Sequence, residues 1–334
     1  MIRKGERNLI TDVPGLTVGN AEDLQIRTGV TVVLPEKPMA AAADIRGGAP
    51  GTRETAALDP VSLVDGIDGL FLSGGSAFGL DAGGGVQAHL RAIGRGYEIA
   101  PGLPRVPVVA GAILFDLGSG GDKDWGDEPP YRRLGIEAAE RAGLDFRLGN
   151  AGAGLGAVAG AYKGGLGSAS SVLADGTTVG ALVAVNAVGS PVMPGGEALW
   201  AWPFELDGEF GGRRPTGPVT ASGLPPDMKG RAQPGTNTTI AVVATDADLT
   251  RVELKRLAIM AADGFARALR PVHTPFDGDL VYAVSTGRRP IEGPRPLAVL
   301  EMGAVAADTM ARAIARGVWE ADSLGPFRSF RDGR

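Results

Sequence analysis

From residue 238 onward the chain alternates strand, helix, strand, helix, and this alternation limits what it can fold into. Residues 238–245 carry the β-branched residues Ile240, Val242, Val243 and Thr245 and read as a strand. Thr250 caps a predicted helix running to about Leu269, with Leu254, Leu257, Ala258, Ala261, Phe265 and Ala268 on one face and Pro271 ending it. Leu280-Val281-Tyr282-Ala283-Val284 is a further strand. A last helix is expected from about Leu297 to Gly317, with Leu300, Ala304, Ala307, Ala311 and Ile314 on its apolar face. Apolar strands need cover, and the amphipathic helices supply it, which predicts a layered α/β sandwich with sheets inside and helices outside.

The preceding residues fit such layers. Leu16–Val18, Gly29–Leu34, Ala40–Ile45, Gly69–Leu72, Val108–Leu117 and Thr178–Val188 read as strands, and Val158–Gly165 with Ser168–Leu173 as a hairpin pair. Helices are expected over about Ala77–Gly94 and Leu134–Ala142. The loop Arg46-Gly47-Gly48-Ala49-Pro50-Gly51 is non-helical and either turns a corner or lines a site. Residues 204–236, rich in Gly, Pro, Asp and Arg without periodicity, read as a long flexible excursion.

Several chemistries are excluded early. The chain has no Cys, so disulfides, thiol catalysis and thiolate metal sites all fall away, and its two His, His89 and His273, are too few for a His-rich metal site. Net charge is −5 with no basic stripe, which argues against nucleic acid. Met1–Glu6 lacks the apolar region of a signal peptide and no long apolar run is present, so a cytoplasmic protein is expected. Ser73-Gly74-Gly75-Ser76 follows a strand and precedes a helix, but its spacing fits neither a phosphate loop nor a serine elbow, where Phe78 replaces the required Gly.

The head of the strand at 238 carries the most chemistry. In Asn237-Thr238-Thr239, the Thr238 hydroxyl is placed to attack the preceding carbonyl. Breakage of the Asn237–Thr238 bond would leave Thr238 with a hydroxyl nucleophile and an α-amine, whose ordinary pKa near ~8 suits it as a base. An ordinary hydroxyl-rich strand entry is the alternative on these residues alone.

Six stretches in order decide between them. Asp44-Ile45-Arg46-Gly47-Gly48-Ala49-Pro50-Gly51-Thr52-Arg53-Glu54-Thr55, Gly74–Leu80, Gly152-Ala153-Gly154, Asn186-Ala187-Val188-Gly189, Asn237-Thr238-Thr239-Ile240 and His273-Thr274-Pro275-Phe276-Asp277-Gly278-Asp279 together resemble the DmpA/nylon-oligomer hydrolase family of self-cleaving N-terminal-nucleophile hydrolases. The resemblance implies an αββα sandwich of the DmpA/ornithine acetyltransferase type, a single catalytic domain over 1–334, and cleavage into 1–237 and 238–334. It implies Thr238 as nucleophile, with Lys163, Asp277 and Asp279 in the catalytic group. Asn186, at the end of its strand, offers an uncharged oxyanion donor. Asp277-Gly278-Asp279 matches the nylon-oligomer branch, whereas the DmpA-type branch tends to carry Ser and Glu there.

Trp125 and Tyr131, in and just after a Gly-rich loop, are candidate substrate-binding residues together with Gly75 and Ser76. No metal or organic cofactor is implied. The expected substrate is a short peptide, β-peptide or ω-amino-acid oligomer, and the expected assembly is a homo-oligomer, tetrameric or larger, with no nucleic-acid or membrane partner. Two rivals stand beside this reading: an acyltransferase of the ornithine acetyltransferase type, and an unprocessed homologue that binds amines without turnover.

Overall fold

A computed structural model describes residues 2–229 and 237–332. The first half of the chain supplies β1 (Leu16–Asp23), β2 (Thr28–Pro35), β3 (Ala40–Ile45), β4 (Thr52–Arg53), β5 (Gly69–Ser73), α1 (Ala82–Ala92), β6 (Val109–Ile113) and α2 (Tyr131–Glu140). The second half supplies β7 (Val158–Ala159), β8 (Tyr162–Lys163), β9 (Gly165–Val172), β10 (Thr178–Asn186), β11 (Thr238–Ala247), α3 (Arg251–Ala268), β12 (Leu280–Arg289) and α4 (Arg295–Trp319). Among the described residues, two five-stranded sheets form, in the orders β1-β2-β5-β6-β4 and β3-β12-β11-β10-β9. Helices α1 and α2 cover the first sheet and α3 and α4 the second, so the layers run α, β, β, α. No described helix is long and apolar enough to cross a membrane.

Side-chain parity explains why the strands of the second sheet look uniformly apolar. Successive residues of a strand point to opposite faces, and here both faces are covered. Even-numbered Leu182, Ala184, Ile240, Val242, Leu280 and Tyr282 enter the core between the sheets. Odd-numbered Val183, Val185, Ala241, Val243, Val281 and Ala283 face the helices. The outer layer lies close: a Cβ on Gly167 of β9 would sit 1.9 Å from the Ala313 carbonyl oxygen of α4.

Three expectations change. The stretch Ser168–Leu173 does not pair with 158–165; β9 pairs with β10, while β7 and β8 pair with each other. Strand β6 stops at Ile113, so Leu114–Leu117 leave the sheet. Leu300 and Ala304 of α4 face outward, and the buried stripe runs instead through Val299, Met302, Val305 and Ala306. Beyond that point α4 is wedged between β9, β10 and α3, and small residues bury almost all its circumference, so the final helix has no single apolar face.

Candidate active site

Residues Asn186 and Thr238 have the parity of the inter-sheet core, and they face each other as partners where β10 ends and β11 begins. The end of β3 and the start of β12 reach this edge, because β11 is parallel to β12 and β3 is antiparallel to β12; the first sheet arrives there past the end of β6, where the Phe115 carbonyl oxygen meets Asn186, with β5 running parallel to β6. The site therefore forms at one open end of the sandwich, where loops replace sheet.

Thr238 is only 3% exposed. Its hydroxyl donates to the Asn237 carbonyl oxygen, which also accepts the Gly278 N–H at 3.0 Å. Only glycine fits at 278: a Cβ there would lie 2.7 Å from Thr238 Oγ1 and 2.7 Å from the Ala49 carbonyl oxygen. The loop after β3 holds this turn. Ala49 N–H donates to the Asp277 carbonyl oxygen, and the N–H groups of Arg46 and Gly47 donate to that of Asp279. The loop at 46–49 thus braces the site as well as turning a corner.

Asp277 and Asp279, both buried, are used as structural bolts. Asp277 Oδ1 accepts Val188 N–H at 3.3 Å, and its Oδ2 accepts the N–H and Oγ1–H of Thr274 at 2.9 and 2.6 Å. Burial, and then the like charge of Asp279, push the Asp277 carboxyl above its ordinary range. Asp279 Oδ1 accepts Thr239 N–H at 2.7 Å. Its Oδ2 meets His273 twice, through the backbone N–H at 3.1 Å and Nδ1 at 2.9 Å. His273 therefore orients Asp279, and the sequence offered no sign of this beyond its proximity.

Asn186 is held from three sides. Its Nδ2 donates to the Phe115 carbonyl oxygen at 2.9 Å. Its Oδ1 accepts Val158 N–H at 3.0 Å and Lys229 Nζ at 2.9 Å. One Nδ2 proton is thereby used, and the carboxamide keeps a second. Lys163 Nζ donates to the carbonyl oxygens of Gly154 and Gly164, at 2.9 and 2.7 Å. Burial pushes its ammonium down to about 7, with the charge of Asp116 opposing the shift and that of Lys229 adding to it.

The remaining sequence candidates gather beside Asp116, on the first-sheet side. Asp116 Oδ1 accepts Gly75 N–H at 2.8 Å and its Oδ2 accepts Thr28 Oγ1–H at 2.7 Å. Burial pushes its carboxyl up, against the charge of Lys123 and these hydrogen bonds. Gly75 lies against the Tyr131 ring, where a Cβ would be 2.0 Å from it. Trp125 packs edge-on against Tyr131 at 5.9 Å and against Phe78 at 5.6 Å. Ser76 is half-buried at the head of the following turn. Tyr131 is fully buried, and burial with the Asp116 charge raises its phenol. Among the described residues no three His, Cys, Asp or Glu side chains converge as a metal site.

Comparison with known proteins identifies the arrangement. The family model for peptidase family S58 matches residues 8–329. The chain belongs to that family. An uncharacterized aminopeptidase of Mycobacterium tuberculosis is 42% identical, over 97% of each chain. A 6-aminohexanoate-oligomer endohydrolase of a Kocuria species is 32% identical, over 84% of this chain and 76% of its own length. Among solved structures, a β-aminopeptidase of a Burkholderia species superposes with a TM-score of 0.70 at 25% identity, over 97% of this chain and 90% of that one. As a member of this peptidase family, the chain is a hydrolase of amide bonds.

Two residues beside the site had no place in the sequence reading. Asp116 sat inside an apparent apolar strand, and a lone carboxylate there was a usable signal. Lys229 fell in the aperiodic excursion, where nothing marks one cation from another. The last part of that excursion, 230–236, lies outside the described residues.

Proposed function

We propose that the chain cuts itself between Asn237 and Thr238 and then works as a two-chain amidase of 1–237 and 238–334. The observation that carries this reading is the Thr238 hydroxyl donating to its own scissile carbonyl oxygen while Gly278 N–H holds the same atom. In the first step Thr238 Oγ1 bonds to the Asn237 carbonyl carbon, the C–N bond breaks, and the hydroxyl proton passes to the departing nitrogen. The oxyanion formed on the way is held by Gly278 N–H, with the second Nδ2 proton of Asn186 as a further donor. Water hydrolyses the resulting ester, giving the Asn237 carboxylate and a free Thr238.

Turnover repeats this chemistry on a substrate. The Thr238 amine takes the hydroxyl proton, the hydroxyl attacks the substrate carbonyl, and the amine product leaves from an acyl-threonine that water then hydrolyses. Asp279, on Thr239 N–H, fixes the strand head, and Lys163, buried within reach of the charges of Asp116 and Lys229, is the cation of the catalytic group. Kinship with aminopeptidases supports short peptides and β-peptides with a free terminal amine, and kinship with an aminohexanoate-oligomer endohydrolase supports ω-amino-acid oligomers. We assign the assembly as a homo-oligomer of two-chain units; the exposed Ile93, Ile99 and Leu103 offer it an apolar surface.

Intact mass of freshly made protein tests the reading. Wild type is expected as fragments 1–237 and 238–334, and Thr238→Ala as one chain without amidase activity. Cleavage of the Thr238→Ala chain at the same bond would overturn it.

A further inference from the structure

Lys229 has no part in the mechanism above, yet its ammonium reaches the strand end that faces Thr238. Its Nζ donates to Asn186 Oδ1 at 2.9 Å and to the Asn186 carbonyl oxygen at 3.3 Å. Its backbone N–H donates to the Val188 carbonyl oxygen at 2.9 Å, while Val188 N–H reaches Asp277 Oδ1 at 3.3 Å. The lysine and the aspartate therefore clamp the same short segment from opposite sides.

We propose that Lys229 is a positioning residue for self-cleavage, acting through the carboxamide of Asn186. Three features support it. A cation on Oδ1 withdraws charge from the amide and strengthens its N–H groups as donors, as chained hydrogen bonds do in a low-dielectric site. The same cation offsets Asp277, whose charge would otherwise oppose an oxyanion forming at Asn237. Finally, residue 229 lies on the segment that ends at the proposed cut, so the precursor itself delivers this charge. Burial pushes the ammonium down to about 7, with Asp277 pulling it up, and its charge in turn lowers Lys163. The site thus holds two lysines that burial drives toward neutrality, and only Lys229 touches the candidate oxyanion donor.

The proposal rests on self-cleavage at Asn237–Thr238, and one experiment separates the two. Full-length chain is made in a cell-free system and its cutting followed by intact mass, for wild type, Lys229→Ala, Lys229→Gln and Lys229→Arg. Thermal melting is recorded for each variant in a Thr238→Ala background, so that only uncut chains are compared. The expected result is wild-type melting, cutting slowed at least ~10-fold in the Ala and Gln variants, and recovery to within a few-fold in Lys229→Arg. Ethylammonium chloride is expected to speed the Lys229→Ala variant where sodium chloride of equal ionic strength does not.

Cutting of Lys229→Ala and Lys229→Gln within twofold of wild type would overturn the proposal and leave the self-cleavage reading intact. So would slow cutting that neither arginine nor ethylammonium restores, since that marks a purely structural loss. If Lys229→Ala fails to melt cooperatively, the contrast between Lys229→Gln and Lys229→Arg decides by the same criteria. A wild-type chain that never cuts overturns both.

Discussion

Two fully buried cations in this molecule live under opposite regimes. Arg312 of α4 spends every N–H it has: Nε and one Nη2 proton on Glu209, the other Nη2 proton on Asn8 Oδ1, and its Nη1 protons on the Ser170 carbonyl oxygen and Ser171 Oγ. Burial pushes the Glu209 carboxyl up, but the hydrogen bond and charge of Arg312 outweigh it and hold the group below its usual range. Lys163, equally buried, meets two carbonyl oxygens and no described carboxylate within ion-pair distance. A guanidinium matched to its partners is a fixed structural element. An ammonium without a paired carboxylate, displaced to about 7, is able to change its charge near neutral pH. The difference between them lies in how completely each donor is matched, since burial is the same.

Breaking the paired cation should produce the largest effect. Arg312→Met leaves Glu209 buried without the guanidinium that pairs with it, and a loss of about 3–5 kcal/mol in denaturant unfolding is expected; the folded fraction should still cut at 237–238. Replacing Lys163 by Met should do the reverse. Cutting and amide turnover are expected to fall ~10²-fold or more, a loss on the scale of a removed active-site electrostatic group, while stability stays level or rises.

The smallest effect sharpens the contrast by pH. The folded Lys163 titrates near 7 and the unfolded one near 10.5, so between those values the unfolded chain binds more protons and stability rises with pH. The slope contributed by this one group is at most about 1.4 kcal/mol per pH unit. In a Thr238→Ala background, where every chain stays whole, the unfolding midpoint should rise more between pH 7 and 9 with Lys163 present than after Lys163→Met. Equal slopes would show that Lys163 keeps an ordinary pKa and that the two cations do not differ.

Legibility from sequence followed the same division. The α3 stripe was readable because Leu254, Leu257, Ala261 and Phe265 repeat at helical spacing, and the Thr250–Glu253 capping box marks its start. The site's primary candidates were readable because Asn237-Thr238 and Asp277-Gly278-Asp279 are local motifs. What stayed hidden depends on long-range pairing. Asp116 and Lys229 come from a strand overrun and an aperiodic segment, and only the folded sheets bring them near Lys163 and Asn186. The reach of α4 was misjudged at Leu300 and Ala304 because alanine and glycine carry little periodic signal when a helix is buried on several sides.

The strand order of the second sheet has one more consequence. A cut before Thr238 gives β11 and β12 to one polypeptide and β3, β9 and β10 to the other, so the sheet reads first, second, second, first, first across its width. Neither product can complete that sheet alone. Cutting therefore changes the molecularity of folding: the precursor assembles in a unimolecular reaction, whereas the separated products must find each other, with a melting point that depends on protein concentration. Self-cleavage then acts as a ratchet, easy to pass in the folded chain and hard to retrace once the mature protein has been unfolded.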